Sequence, residues 1–146
     1  MAELSLSLTR MINAAPEKVF NAWLKPEMLK QFMVPCEGGG CPLAESDARV
    51  GGRFRIVMFN GEKDIEHAGT YLTIDPFRQI AFTWESVFSL SDSTVTIDFR
   101  PVESGKTELT LTQVKFRDES ARDGHMKGWA QLVGQLGLLY EAAAAA

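Results

Sequence analysis

The segment GHMKGWAQLVGQLGLLYEA, from Gly124 to Ala142, restricts the possible folds more than any other part of the chain. Its residues form two adjacent stripes at helical spacing. The stripes contain His125, Trp129, Leu132, Leu136 and Leu139, and Met126, Ala130, Val133, Gly137 and Tyr140. A helix with so wide an apolar surface must bury it against other elements, and a sheet can do so. The segment therefore predicts a long helix that packs into a sheet.

Glycines interrupt this predicted helix at Gly128, Gly134 and Gly137. In a helix interior, each glycine costs about 1 kcal/mol relative to alanine. The cost indicates that the missing side chains serve a purpose. We expect Gly134 or Gly137 to face the sheet, where either the backbone packs closely or a void is left. A void surrounded by aromatic side chains would form an apolar ligand pocket.

Strand patterns occupy most of the remaining chain. The first segment, ELSLSLTRMI, places Leu4, Leu6 and Leu8 on one face and polar residues on the other. Further strand-like segments follow at residues 43–49, 53–59, 67–74, 79–86, 93–100 and 108–116, with turn residues between several of them. The short intervals leave little room for helices, and the alternation is typical of an antiparallel sheet covered on one face.

Two short helices are predicted directly after the first strand. Pro16 and Glu17 mark the start of one, and Pro26 ends that run and begins the other. The complete pattern predicts a single α+β domain over residues 1–146. Its curved antiparallel sheet and two short helices wrap around the long C-terminal helix.

Composition excludes several classes of function. A length of 146 residues suits one domain, and the formal charge of −4 argues against a nucleic-acid partner. The N-terminus lacks the pattern of a signal peptide, and no segment reaches the roughly 18 apolar residues of a membrane span. We therefore expect a cytoplasmic protein. No cofactor is predicted.

The two cysteines, Cys36 and Cys41, are expected to be reduced thiols in that compartment. A zinc site would require both distant histidines, His67 and His125, to converge on them, so no metal site is predicted. The chain also contains no phosphate-binding glycine loop, no G-x-S-x-G and no H-E-x-x-H motif.

Three motifs point to a known family. They are DARVGGRF at Asp47–Phe54, GTYLTIDPFRQIAFTW at Gly69–Trp84, and HMKGW at His125–Trp129 followed by spaced leucines. In this order they resemble bacterial single-domain members of the family related to the activator of the heat-shock protein 90 ATPase, within the START-like (SRPBCC) superfamily. The resemblance covers essentially the whole chain.

The resemblance implies the helix-grip fold, with a cavity between the long helix and the concave sheet for an apolar or amphipathic small molecule. It does not imply one reaction, because the superfamily includes lipid carriers, polyketide cyclases, aromatases, resistance proteins and co-chaperones. A homodimer is also plausible for bacterial relatives.

The candidate ligand-binding residues are large apolar side chains and one helix glycine expected on the concave face. They are Trp23, Phe32, Phe54, Met58, Tyr71, Phe82, Trp84, Phe99, Trp129, Val133, Leu136 and Gly137. Any of them can instead simply fill the core. His125 and Tyr71 are the candidates for proton transfer, since an imidazole titrates near neutral pH and a buried hydroxyl can orient a ligand.

Three functions are therefore considered. The first is binding of a hydrophobic or amphipathic small molecule between the C-terminal helix and the sheet. The second is a cyclase-like or hydratase-like enzyme that uses the same pocket. The third is an interaction module that activates a chaperone ATPase. The sequence leaves open whether any reaction is catalysed.

Overall fold

A computed structural model describes residues 4–87, 89, 92–103 and 105–145, with side chains to residue 141. The elements follow one another as β1 (Ser5–Ile12), α1 (Pro16–Ala22), α2 (Pro26–Phe32), β2 (Gly40–Ser46), β3 (Arg53–Phe59), β4 (Asp64–Asp75), β5 (Gln79–Thr83), β6 (Thr94–Pro101), β7 (Thr107–Val114) and α3 (Glu119–Ala145). This is the predicted α+β helix-grip architecture, with both short helices beginning at the expected prolines. No helix within the described residues is long and apolar enough to cross a membrane.

The strands form one seven-stranded antiparallel sheet in the order β1-β7-β6-β5-β4-β3-β2. β4 connects the two halves of this sheet. Its first part, Asp64–Thr70, pairs with β3, and its last part, Tyr71–Asp75, pairs with β5. The β4–β5 register shifts between Tyr71 and Thr73. Because such an irregularity bends and twists a strand, it contributes to the curvature of the sheet.

The core lies between the concave face of the sheet and α3. Alternate residues of β6 and β7 point inward and are fully buried, including Val95, Ile97, Leu109 and Leu111. Trp129, Leu132, Val133 and Leu136 of α3 are buried, whereas Met126 and Ala130 are exposed. The buried surface of the helix is therefore narrower near its N-terminal end than the two stripes predicted.

The two short helices pack against the sheet and the long helix, and an aspartate side chain caps the start of the long helix. α1 packs against β6, where the rings of Phe20 and Phe99 lie 5.5 Å apart, and α2 packs between β2 and α3. The Asp118 carboxylate accepts a hydrogen bond of 2.8 Å from the Ala121 N–H, and so caps the first turn of α3. The helix therefore begins before Gly124, where the sequence pattern first became clear.

Gly69 in β4 is required by close packing. A Cβ atom at this position would lie 2.6 Å from ring carbons of Phe54 and would also collide with the carbonyl oxygen of Thr83. The Phe54 ring therefore packs directly over the glycine backbone, beside Tyr71 and Phe82. This contact fixes the position of the aromatic residues in the middle of the sheet.

We expect Gly69→Ala to lower the free energy of unfolding by about 2 kcal/mol or more, because the backbone and the Phe54 ring must move apart. Gly134→Ala is the matched control. Its Cβ would meet no atom within 4 Å, so this helix substitution should raise stability by about 0.5–1 kcal/mol. Urea denaturation measures both values. Equal effects of the two substitutions would contradict this account of Gly69.

Candidate functional site

A cavity of about 440 Å³ lies beside the N-terminal half of α3. The opposite wall consists of β3, β4 and Trp84, which follows β5. The lining residues are Pro35, Met58, Asn60, Ile65, His67, Trp84, Arg117, Asp118, Ser120, Ala121, Gly124, His125, Gly128, Trp129 and Leu132. The cavity is therefore located between the helix and the sheet, where the resemblance to the START-like superfamily implied one.

Small residues on one face of α3 leave space for the cavity. Ala121, Gly124 and Gly128 recur three or four residues apart and therefore lie on the same face. A Cβ atom on Gly124 or Gly128 would meet no atom within 4 Å. Larger side chains at these positions would project into open space, and their absence keeps this side of the cavity open.

The two glycines that we expected at a pocket have other surroundings. Gly137 is buried, and a Cβ atom there would collide with the guanidinium group of Arg10. Arg10 belongs to β1, and the Glu141 carboxylate lies 3.8 Å from its Nη2 atom. A Cβ atom on Gly134 would meet no atom within 4 Å. The cavity is thus lined by Gly124 and Gly128 instead, and Gly137 does not line it because Arg10 occupies the adjacent space.

The structure separates the twelve predicted pocket residues into three groups. Met58, Trp84 and Trp129 line the cavity. Trp23, Phe54, Tyr71 and Phe82 surround a separate void of about 10 Å³, to which Trp84 also contributes. About one water molecule needs that much space, so these side chains pack as a core. Phe32, Phe99, Val133, Leu136 and Gly137 line neither space.

The floor of the cavity is aromatic. The rings of Trp84 and Trp129 lie 4.7 Å apart at an angle of 50°, and His67 stacks on Trp84 at 4.8 Å. Trp23 lies 6.2 Å from Trp129, so all three tryptophans of the chain meet here. The Trp129 indole N–H donates a hydrogen bond of 2.7 Å to Gln113. This hydrogen bond and the stacked rings hold the floor in a defined shape.

Both histidines of the chain line the cavity. His67 is 8% exposed, and no described group meets its Nδ1 atom in hydrogen-bond geometry. Burial lowers the pKa of His67 to about 4, against an opposing effect of the Ile65 carbonyl and with a smaller contribution from His125. The ring is therefore neutral at physiological pH. We missed His67 as a cavity residue, although the alternation that turns Tyr71 inward places His67 on the same face of β4.

His125 is held by two hydrogen bonds. Its Nδ1 atom lies 2.7 Å from the Ala121 carbonyl oxygen and its Nε2 atom 2.9 Å from Ser89 Oγ. Since a carbonyl can only accept, Nδ1 carries the proton, and Nε2 of the neutral ring accepts from the Ser89 hydroxyl. A histidine with this tautomer can act as a general base through Nε2.

Tyr71, the other candidate for proton transfer, points inward but lies away from the cavity. Its hydroxyl group is 2.8 Å from Ser46 Oγ, and burial raises the pKa of its phenol. It borders only the small void of the core. Of the two candidates, the structure therefore brings only His125 to the cavity.

The mouth of the cavity is polar. Arg117, Asp118 and Ser120 lie at its solvent-exposed edge and Asn60 is half-buried, and these polar side chains contrast with the indole rings of the floor. Asp118 is engaged at the helix start through Ala121, while Arg117 is 57% exposed and contacts Asp118 only at 4.0 Å. An apolar floor and a polar mouth suit a molecule with an apolar body and a polar group. Arg117 and Asp118 carried no periodic signal in the sequence, because they lie in the short connection between β7 and α3.

Neither cysteine is among the residues that line the cavity, although Cys36 contacts one of them. The Cys36 thiol donates to the Asn60 carbonyl at 3.2 Å, and the Cys41 thiol donates to the Leu43 carbonyl at 3.3 Å. Among the described residues, no three His, Cys, Asp or Glu side chains come together in a way that could hold a metal ion.

Comparisons with known proteins agree with this geometry. The sequence model of the family described as Activator of Hsp90 ATPase homolog 1-like protein matches residues 13–141. A crystal structure from Chromobacterium violaceum is 30% identical, with a TM-score of 0.83, covering 94% of this chain and 96% of that one. A solution structure of an AHSA1-like protein from Aeromonas hydrophila is 20% identical, with a TM-score of 0.82, covering 97% and 94%.

A Plasmodium falciparum protein described as an Hsp90 activator has the same fold. Its crystal structure is 24% identical, with a TM-score of 0.75, and the match covers 93% of this chain and 95% of that one. No curated protein matches the sequence.

The low pKa of His67 predicts a loss of stability in acid. The unfolded chain binds a proton at this residue near pH 6.5 and the folded protein only near 4, so stability decreases as the pH falls through that range. The full difference corresponds to about 3 kcal/mol. His67→Phe keeps an aromatic ring on Trp84 and should remove this part of the pH dependence.

The measurement is the free energy of unfolding in urea at pH 7.5, 5.5 and 4.5 for both proteins. The difference between them isolates His67, because the carboxylates are common to both. An equal loss of stability in wild type and His67→Phe would show that the pKa of His67 is not lowered in the folded protein.

Proposed function

Because the chain belongs to the family of Activator of Hsp90 ATPase homolog 1-like proteins, we propose that it binds a hydrophobic or amphipathic small molecule in the cavity beside α3. The molecule inserts an apolar body between Trp84 and the helix. Its polar group stays at the mouth, close to Arg117 and Asn60.

The observation that carries this proposal is the cavity itself. Its volume of about 440 Å³ falls in the range of small-molecule sites, which are typically about 300–1,000 Å³. Six of the fifteen lining residues are polar, and three of these, Arg117, Asp118 and Ser120, are exposed to solvent. This distribution orients an amphipathic molecule as well as enclosing it.

The glycines of α3 support the same proposal. Gly128 gives up about 1 kcal/mol of helix stability relative to alanine, and no atom lies within 4 Å of the position that its Cβ would take. Close packing therefore does not require a glycine at this position. Room for a ligand next to Trp84 and Trp129 explains it.

We expect Gly128→Leu to abolish binding of 1-anilinonaphthalene-8-sulfonate, because the new side chain fills the cavity. Gly134→Leu is the matched control: it makes the same change on the same helix at a position with no neighbour within 4 Å and outside the cavity. Fluorescence titration should show at least about a tenfold loss of affinity for Gly128→Leu and little change for Gly134→Leu.

Thermal unfolding of both variants provides the folding control, since both substitutions replace glycine in a helix. Wild-type protein that fails to bind the dye, or two variants that bind it equally well, would contradict a ligand site at this cavity.

A second candidate is activation of a chaperone ATPase. It is favoured by the family description and by the relative from Plasmodium falciparum that is described as an Hsp90 activator. We expect a saturating concentration of the protein to raise the steady-state ATPase rate of a bacterial Hsp90 at least about twofold if this function applies. Gly128→Leu should leave that increase unchanged, because protein contact uses the outer surface. An unchanged ATPase rate would reject this candidate without affecting the first.

A further inference from the structure

We propose that Gln113 determines which class of molecule the cavity accepts. By fixing the ring of Trp129, it makes the site select flat aromatic molecules over flexible chains of the same size. The inference rests on the proposed ligand-binding function and deepens it. Gln113 is a positioning residue here, since it acts through Trp129 and does not line the cavity itself.

The hydrogen bonds around Gln113 have one possible direction. The Ser93 hydroxyl donates to the Val114 carbonyl at 2.7 Å, so its oxygen is free to accept from the Gln113 amide at 2.9 Å. The amide nitrogen of Gln113 therefore faces Ser93, and its oxygen faces Trp129. That oxygen accepts from the indole N–H of Trp129 at 2.7 Å. The orientation of the indole ring is thus connected to the backbone of β7.

Burying these polar groups lowers the free energy of unfolding unless each of them makes its hydrogen bonds. Gln113 and Ser93 are both fully buried, and Gln113 takes an inward position of β7 that follows Leu109 and Leu111 in the alternation. Burying an amide is unfavourable unless its hydrogen bonds are made, and a leucine would fill the position without that requirement. A role in holding Trp129 explains why an amide occupies this position.

A fixed indole ring favours aromatic ligands. Aromatic rings attract one another in offset-stacked or edge-to-face geometry, and the attraction depends on the orientation of both rings. Trp129 lies at 50° to Trp84, and His67 stacks on the same Trp84, so the floor presents several ring orientations at once. A flexible chain gains no such directional contact and loses conformational freedom when it enters a rigid site.

Two ligands with eleven carbon atoms each and the same carboxylate test the inference. They are 2-naphthoate and undecanoate, and isothermal titration calorimetry measures both dissociation constants. We expect wild type to bind 2-naphthoate about fivefold or more tightly than undecanoate. In Gln113→Leu this preference should be largely lost through weaker naphthoate binding. Ser93→Ala, which removes the acceptor for the Gln113 amide, should shift the ratio in the same direction.

Gln113→Glu should keep the preference, because a buried, protonated carboxyl group can accept from the Trp129 indole and donate to Ser93 Oγ. Thr107→Val is the matched control for stability. Thr107 is another fully buried polar residue of β7, and its hydroxyl donates to the Ala14 carbonyl at 2.7 Å, away from the cavity. Loss of that bond should leave the ratio of the two dissociation constants unchanged.

The outcomes separate this inference from the proposed function. Wild-type protein that binds neither ligand would overturn both. Wild-type protein that binds the two ligands equally, or a Gln113→Leu variant that folds and keeps the preference, would overturn only the role of Gln113. If Gln113→Leu does not fold, an unchanged ratio in Ser93→Ala has the same meaning.

Discussion

Burial of Trp129 between α3 and the concave sheet is the contact on which the rest of the structure depends. The indole is 2% exposed, touches both other tryptophans and is hydrogen-bonded to Gln113. An aromatic side chain of this size contributes more buried apolar area than any other residue of the helix.

Toward the C-terminus, Leu132, Val133 and Leu136 continue the same contact as a filled core. Toward the N-terminus, Ala121, Gly124 and Gly128 place small residues on one face of the helix, and the cavity begins there. One residue therefore marks the border between the part of the molecule that stabilises the fold and the part that is available for a ligand.

The chemistry of the cavity follows from this position. Its floor is made of rings that the fold must bury in any case, so the cavity has an aromatic wall at the edge of the core. His67 shares this environment and is kept neutral by burial, while His125 is kept in one tautomer by the Ala121 carbonyl. The charged side chains of the lining are Arg117 and Asp118, and both are exposed. Such a site suits recognition of an apolar body with one polar group better than recognition of a highly charged molecule.

Local patterns predicted the fold well, because they reflect burial on one face of each element. The strand-like pattern at residues 93–100 predicted β6, and the prolines at residues 16 and 26 predicted the starts of α1 and α2. The same reasoning identified Met58, Trp84 and Trp129 as concave-face residues, and all three line the cavity. Alternation shows which face a side chain occupies, but it does not show whether the opposite wall touches that side chain. For this reason Phe54, Phe82 and Phe99 were grouped with the cavity residues although they pack in the core.

The sequence by itself determined the elements, their amphipathic faces, the α+β fold class and the presence of unusual glycines in the last helix. Only the tertiary structure decided what each glycine does. Gly137 is covered by Arg10, a residue of β1 that is distant in sequence, whereas Gly128 opens into the cavity. Tertiary structure likewise brought His67 and His125 to one cavity and gave Gln113 its partner. These pairings join residues from different strands and the helix, and their distances depend on how the sheet curves. Residue periodicity contains no information on that curvature.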